Sequence, residues 1–370
     1  MGKKKIKVAQ VIGNIAEGGI EVMITNLYRN IDHQEVEFHF FVPNTSVVLN
    51  QEEIEKYGGK VFIVPSVKHI FKYKKTLKHM FKENKYDIVH VNMNALSFIS
   101  LKAAKKAGIP VRISHCHSTT NRKEHIRHLI KLVLRPFSRK DATHFFACSE
   151  FAGRWLFGNK LFNENKVYIV NNGIDLNKFA FNEEKRDLIR KQLGISPNIN
   201  VVGHIGRFAP QKNHPYLVKI YEELLKIDSE VALLMIGSGK DLDNIKAEVE
   251  NKHLKNVHFV GPISNPYDYY QAMDVFALPS LYEGLPVVGV EAQANGLKCF
   301  FSDEITKEAK ILDQTEYLGI KGDPAIWAEK IENYFKNRKT IRDLNNSFAS
   351  FDIEAIASNM LEKYKEYLKE

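Results

Sequence analysis

The sequence predicts an α/β protein made of two doubly wound parallel sheets that follow one another along the chain. Three observations carry this. Short apolar runs alternate with amphipathic stretches of helical period along most of the 370 residues, the pattern of strands linked by crossover helices. The alternation occurs twice, interrupted by the turn-forming Asn171-Asn172-Gly173-Ile174-Asp175 and a polar stretch to Asn200. The length suits two domains, at about 150 residues each.

In order, the strands expected in the first half are 7–12, 38–42, 61–64, 88–92, 111–115, 144–149 and 167–170. Amphipathic segments such as 20–30 and 96–107 separate them. The second half repeats the theme with 201–205, 232–236, 257–260, 275–278, 298–301 and 317–320. The domains are therefore placed at 1–175 and 176–352, with a lone helix at 353–370. Two such sheets imply a cleft where a ligand meets the carboxyl ends of strands.

The most informative stretch lies in the second half. Pro279-Ser280-Leu281-Tyr282-Glu283-Gly284-Leu285-Pro286 leads, eight residues after Glu283, to a second acid, Glu291. Residues 274–278 before it read as a buried strand, and 287–295 after it as a helix. Pro286 suits the first helical position, where its missing N–H costs nothing, and Gly296 suits the stop. One acid thus sits on a loop at the end of a strand, the other early in the next helix. Backbone N–H groups at a helix start attract phosphate, and carboxylates accept hydrogen bonds from paired hydroxyls. Together they suit a nucleotide sugar.

Glu-x7-Glu behind Pro-Ser-x-x-Glu-Gly resembles the retaining glycosyltransferases of the family 4 group (glycosyl transferases group 1), of the bacterial capsular and exopolysaccharide type. The resemblance covers nearly the whole chain and is most specific between residues 201 and 299. It implies the GT-B fold: two facing Rossmann-like domains, donor held mainly by the second and acceptor by the first, and a C-terminal crossover helix packing back on the first. It implies transfer of a hexose or N-acetylhexosamine from a nucleoside diphosphate sugar, UDP-linked by expectation, to a glycan or polyprenyl-linked acceptor hydroxyl. Glu283 would hold sugar hydroxyls and orient the anomeric carbon, and Glu291 would accept from the ribose. Gly284, Leu285, Pro286 and Val287 would line the substrate. No metal or other cofactor is implied.

Four more segments add to this. Gly206-Arg207-Phe208-Ala209-Pro210-Gln211-Lys212-Asn213 follows the first strand of the second half. Arg207 offers a fork of donors to phosphate oxygens and Lys212 a compact charge, as a departing diphosphate requires. The run resembles the family's diphosphate-binding segment. Gly13 to Glu21, with Gly18 and Gly19, lets backbone approach a ligand but is neither a dinucleotide fingerprint nor a P-loop. It resembles the loop covering the donor phosphates. Gly237-Ser238-Gly239-Lys240 reads as a turn near the nucleotide, and Gly261-Pro262 resembles the segment that holds the base. In the first half, His115 and His117 end a strand, and the family places a histidine there against the donor sugar; His117 aligns best. His90 and Asn92 are expected to be structural or acceptor-side. Asp241-Leu242-Asp243 opens a helix and reads as a cap rather than a metal pair.

Composition narrows the rest. The net charge is +9, concentrated in residues 68–85 and 122–140. The second stretch interleaves Arg127, Lys131, Arg135 and Arg139 with Ile126, Leu129, Ile130, Val133, Leu134 and Phe137 at helical spacing. Such a helix lies on an anionic membrane or packs on the core with a solvated basic face; two basic segments in one half favour the membrane. No nucleic-acid motif is present. Cys116, Cys148 and Cys299 form no disulfide or zinc pattern. No apolar run reaches about 18 residues and no signal peptide is apparent. The expectation is a cytoplasmic protein with peripheral contact at the inner face of the cell membrane. Two other readings stay open: a GT-B sugar-nucleotide epimerase, and a non-catalytic GT-B partner subunit.

Overall fold

The computed structural model describes residues 4–13, 19–43, 51–117, 125–337 and 346–370. The chain divides into two compact units, Met1–Asp175 with Ala349–Glu370, and Leu176–Phe348. The first unit holds β1 (Ile6–Ile12), β2 (Val36–Pro43), β3 (Lys60–Val64), β4 (Ile88–Asn92), β5 (Val111–Cys116), β6 (His144–Ala147) and β7 (Val167–Ile169). They form one sheet in the order β3-β2-β1-β4-β5-β6-β7, every neighbour parallel. The order reverses between β1 and β4, so the loops leaving their carboxyl ends diverge there and open a crevice.

Register decides what that sheet presents. Gln10 lies beside His90 and Ile12 beside Asn92, and His90 beside Ile113. With a side-chain period of two, Gln10, His90, Asn92 and His115 share one face. That face packs under the C-terminal helix Ile353–Tyr367, which buries Ile353, Ile356, Ala357, Met360, Leu361 and Tyr364. Asp352 caps this helix by accepting from Glu354 N at 3.1 Å, and a backbone bridge joins Asp352 to Ile174. A Cβ on Gly173 would come within 2.8 Å of Ile353, so glycine at the turn permits the close approach.

The second unit holds β8 (Asn200–Ile205), β9 (Val231–Ile236), β10 (Val257–Val260), β11 (Val275–Leu278), β12 (Lys298–Ser302) and β13 (Glu316–Leu318). Its sheet is parallel in the order β10-β9-β8-β11-β12-β13. The order reverses between β8 and β11, which sets the loops after residues 205 and 278 side by side.

Three sequence expectations need correction. The break does not extend to Asn200; the polar stretch after Asp175 contains the helices Leu176–Phe179 and Glu183–Leu193. The second hides few apolar groups and is held by ions instead. Arg186 and Arg190 donate to Asp274 at 2.6 and 2.7 Å, and Arg190 also reaches Ala272 O at 3.0 Å. Strand 144–149 stops at Ala147, because Ser149 accepts from Ala152 N at 3.2 Å and caps a new helix, Glu150–Phe157. Asp241 stands at the cap position of the helix Leu242–Asn251, but its side chain makes no capping hydrogen bond.

Candidate active site

The switch point of the second unit brings its two motifs together. The loop after β8 ends in a 3-10 turn, Pro210–Lys212. Leu281 N donates to Gln211 O at 2.8 Å, and Asn213 Nδ2 donates to Pro279 O at 3.1 Å. The loop after β11 is thereby stitched to the loop after β8. Lys212 Nζ meets Glu283 Oε1 at 2.7 Å, both side chains largely out of water. Glu283 also accepts from Gln211 Nε2 at 3.0 Å and Ser280 Oγ at 3.2 Å. The carboxylate is therefore fixed in direction, and its charge is balanced by a cation that also serves the loop. Arg207 projects from the same loop into solvent.

Glu291 is differently placed. It lies in the helix Val287–Ala294, buried, and accepts from Tyr270 Oη at 2.8 Å. Burial pushes its carboxyl up to about 7, against the opposing pull of the Tyr270 hydroxyl and the Lys212 charge. Pro286 is the cap rather than the first helical residue, with extended backbone and no capping side chain. Val287 begins the helix, so its opening N–H groups are those of Val287 and Val288. Gly284 and Leu285 lie in the connecting loop.

The glycines near this loop are demanded by packing. A Cβ on Gly237 would stand 2.2 Å from Gly206 O, and one on Gly239 would stand 2.3 Å from Phe208 O. Both glycines also have positive φ. Ser238 O accepts from Phe208 N at 2.8 Å. Gly237 and Ser238 thus hold the Arg207 loop in place. Pro262 lies on the exposed loop after β10, tied nearby by Gly237 N donating to Val260 O at 3.0 Å.

His117 belongs to the first unit, just past β5. His117 Nε2 and Asn92 Oδ1 are 2.8 Å apart, and its backbone N–H donates to Asn94 Oδ1 at 2.7 Å. Asn92 Nδ2 donates to Gln10 Oε1 at 2.9 Å, and Gln10 Nε2 to Tyr364 Oη at 3.2 Å. The Tyr364 hydroxyl lies 2.7 Å from His90 Nδ1, and His90 Nε2 lies 2.9 Å from His115 Nδ1. The amides set a direction for the whole run. Asn92 Oδ1 can only accept, so His117 Nε2 carries the proton. The Tyr364 proton then goes to His90, whose Nε2–H serves His115. Burial holds His90, His115 and His117 neutral by lowering their pKa values. His117 Nδ1 is left as a bare acceptor, without a partner among the described residues. Rings of His115 and His117 lie 3.8 Å apart.

Of the remaining expected positions, Gly18 lies outside the described residues and Gly19 opens the helix Gly19–Asn30. Sequence reasoning missed Gln211, Ser280 and Tyr270, which orient the two acids, and Gln10 and Tyr364, which orient His117. Gln211 and Ser280 stood inside the quoted motifs. Gln10, a polar residue inside an apolar strand, was the signal for the other group.

Comparison with known proteins follows the same division. Residues 185–349 match the family described as Glycosyl transferases group 1, and residues 17–178 match Glycosyltransferase Family 4. The chain is 35% identical over 342 residues to EpsF of Bacillus subtilis (strain 168), provisionally named a glycosyltransferase, covering 90% of this chain and 88% of that one. The chain belongs to the family 4 glycosyltransferases. This glycosyltransferase is also 30% identical, over 62% of its length and 60% of the other's, to an Escherichia coli enzyme named UDP-Gal:alpha-D-GlcNAc-diphosphoundecaprenol alpha-1,3-galactosyltransferase. CapH of Staphylococcus aureus, a capsular polysaccharide biosynthesis glycosyltransferase, is 24% identical over 97% of this chain and 98% of its own. The crystal structure of Anabaena HepE in complex with UDP and glucose superposes with a TM-score of 0.80 at 17% identity, over 97% of this chain and 99% of that one. The fold of the glycosyltransferase is GT-B.

Proposed function

We propose that this glycosyltransferase moves a hexose or N-acetylhexosamine from a UDP sugar to a glycan or lipid-linked acceptor hydroxyl, with retention, in bacterial surface polysaccharide biosynthesis. The observation that carries the reading is the Lys212–Glu283 pair at 2.7 Å, set between the Arg207 loop and the start of the helix Val287–Ala294. A diphosphate gains negative charge as the sugar leaves. Arg207, Lys212 and the opening N–H groups of that helix meet this charge with fixed dipoles and cations. Glu283, held in direction by Lys212, accepts from sugar hydroxyls, and Glu291 accepts from the ribose. His117 Nδ1, a lone-pair acceptor, takes a hydroxyl proton of the donor sugar or acceptor as a hydrogen bond.

In the step itself the bond from the anomeric carbon to the diphosphate oxygen breaks. The acceptor oxygen bonds to that carbon on the same face, and its proton passes to a diphosphate oxygen. In this reading Arg207, Lys212 and the helix N–H groups meet the diphosphate charge, and no metal ion is invoked. Relatives carrying UDP-Gal, diphosphoundecaprenol and capsular polysaccharide in their names support donor, acceptor and setting. The test is a panel of nucleotide sugars with EDTA present, read for nucleoside diphosphate release with and without a lipid-diphosphate-linked sugar. Proton NMR then reads the anomeric configuration. UDP released from one UDP sugar faster with the acceptor, and an α product from an α donor, are expected. Turnover to a new nucleotide sugar with no acceptor sinks the reading in favour of an epimerase. No turnover with any donor favours a non-catalytic subunit.

A further inference from the structure

In the helix His125–Leu134, residues 129–134 reverse the usual sidedness of an amphipathic surface helix. Leu129, Ile130 and Val133 recur at helical spacing, yet keep 63%, 53% and 60% of their surface in water. Phe137, one turn on in the 3-10 helix Arg135–Arg139, is exposed too. Leu134 turns inward onto the cluster around Cys116 and Leu156. The segment is held in this pose. Arg135 Nη2 donates to Arg154 O at 3.4 Å, Arg139 Nη1 donates to Phe157 O at 3.3 Å, and the Phe137 ring lies 5.8 Å from Phe98. A contiguous apolar patch kept in water marks an interaction site, and a helix packed on the core with only its basic face in water does not describe it.

A second apolar group stands at the same end of the sheet. Phe71, in the first turn of the helix Ile70–Asn84, is 87% exposed, with Lys68, Lys72 and Lys75 exposed around it. Because β3, β4 and β5 run parallel, the segments that leave them start from one edge, and His117 leaves β5 at that edge. The Arg135–Arg139 turn packs on Asn94–Leu96, just past β4. Charge completes the description. Between 125 and 140 the chain has Arg127, Lys131, Arg135, Arg139 and Lys140 and no acidic residue. The helix Ile70–Asn84 has five lysines and one acid, Glu83.

We propose that the face carrying Leu129, Ile130, Val133, Phe137 and Phe71 docks on an anionic lipid bilayer. The apolar side chains enter the headgroup boundary, and the surrounding lysines meet lipid phosphates. A second copy of the chain fits poorly, since a two-fold contact sets the same basic patch against itself. The proposal deepens the lipid-linked acceptor reading and rests on it for its purpose: docking presents the edge bearing His117 to a membrane-borne acceptor. Binding itself needs no donor.

The test is flotation of the full chain with phosphatidylcholine vesicles, with and without phosphatidylglycerol, at low and high salt. Wild type should float with the anionic vesicles at low salt and less at high salt. Leu129→Ser with Val133→Ser should weaken partitioning by about tenfold or more while every basic residue remains, following the methylenes withdrawn from the lipid. Phe71→Ser is an independent variant if the first folds poorly. Both should keep wild-type UDP binding and donor turnover. No flotation of wild type with anionic vesicles, or flotation of the apolar variants equal to wild type, overturns the proposal. So does a dimer by light scattering that the Leu129/Val133 variant abolishes. Loss of donor turnover with vesicle binding intact counts against the proposed transferase chemistry instead.

Discussion

At the residue scale, the chain does most of its work by fixing directions. His117 is the clearest case. Its ring is oriented by Asn92, and Asn92 by Gln10 and Tyr364, so the accepting nitrogen is Nδ1. Nitrogen-15 NMR of labelled protein should show His117 protonated at Nε2 alone at pH 7. A proton on Nδ1 contradicts the assignment. Gln10→Leu leaves Asn92 free to turn over; activity should fall by about tenfold, mainly in kcat, with the Nδ1 and Nε2 signals of His117 mixed. Glu291 gives a pH signature. Its carboxyl sits near 7 because it is buried, and hydroxyl donors from a ribose favour the ionised form. Nucleotide binding should therefore lower its pKa and release a proton. Calorimetry near pH 6.5 in buffers of different ionisation enthalpy should detect the release, and affinity should rise from pH 6 to 8. Glu291→Gln should abolish both; proton uptake would contradict the ribose role.

At the element scale, buried parallel strands were easy to see in the sequence because both faces are covered and they read as near-continuous apolar runs. The strands at 88–92 and 257–260 were bounded to the residue. What stayed hidden was held by polarity. The helix Glu183–Leu193 has no strong apolar stripe, so a pattern reading passes over it; Arg186, Arg190 and Asp274 secure it. The Glu283 and Glu291 motif was legible from spacing and flanking residues. Its supports, Tyr270 and Gln211, were not, because a hydrogen bond across 21 or 72 positions leaves no local pattern. Asp274→Asn should show what the ionic support contributes. It leaves two arginines short of a counter-charge, one of them buried, and puts a donor –NH2 where one of the two accepting oxygens stood. A loss of about 3–5 kcal/mol is expected, read as a lower urea midpoint for the second unit. A change below about 1 kcal/mol contradicts the account.

At the scale of the whole molecule, eight histidines among the described residues have their pKa lowered chiefly by burial: His33, His39, His90, His115, His117, His204, His214 and His258. Below 6.5 the unfolded chain binds protons that the folded chain refuses. Their contribution to stability is full above 6.5 and is lost as pH falls toward their folded values. Glu291 acts oppositely: its contribution declines as pH rises from 4.5 to about 7. Eight groups outweigh one, so the urea midpoint should drop between pH 7.5 and 5.5; an unchanged or higher midpoint contradicts this balance.

The central claim is that the second unit carries a diphosphate site built from its own cations at the β8–β11 switch point. Calorimetric titration of UDP with EDTA present, on wild type and on Arg207→Ala, tests it most directly. The account predicts binding to wild type without metal and at least about tenfold weaker binding to the variant, the loss expected for a charge-assisted contact to phosphate. UDP binding that needs added magnesium, or that is indifferent to Arg207, would contradict it.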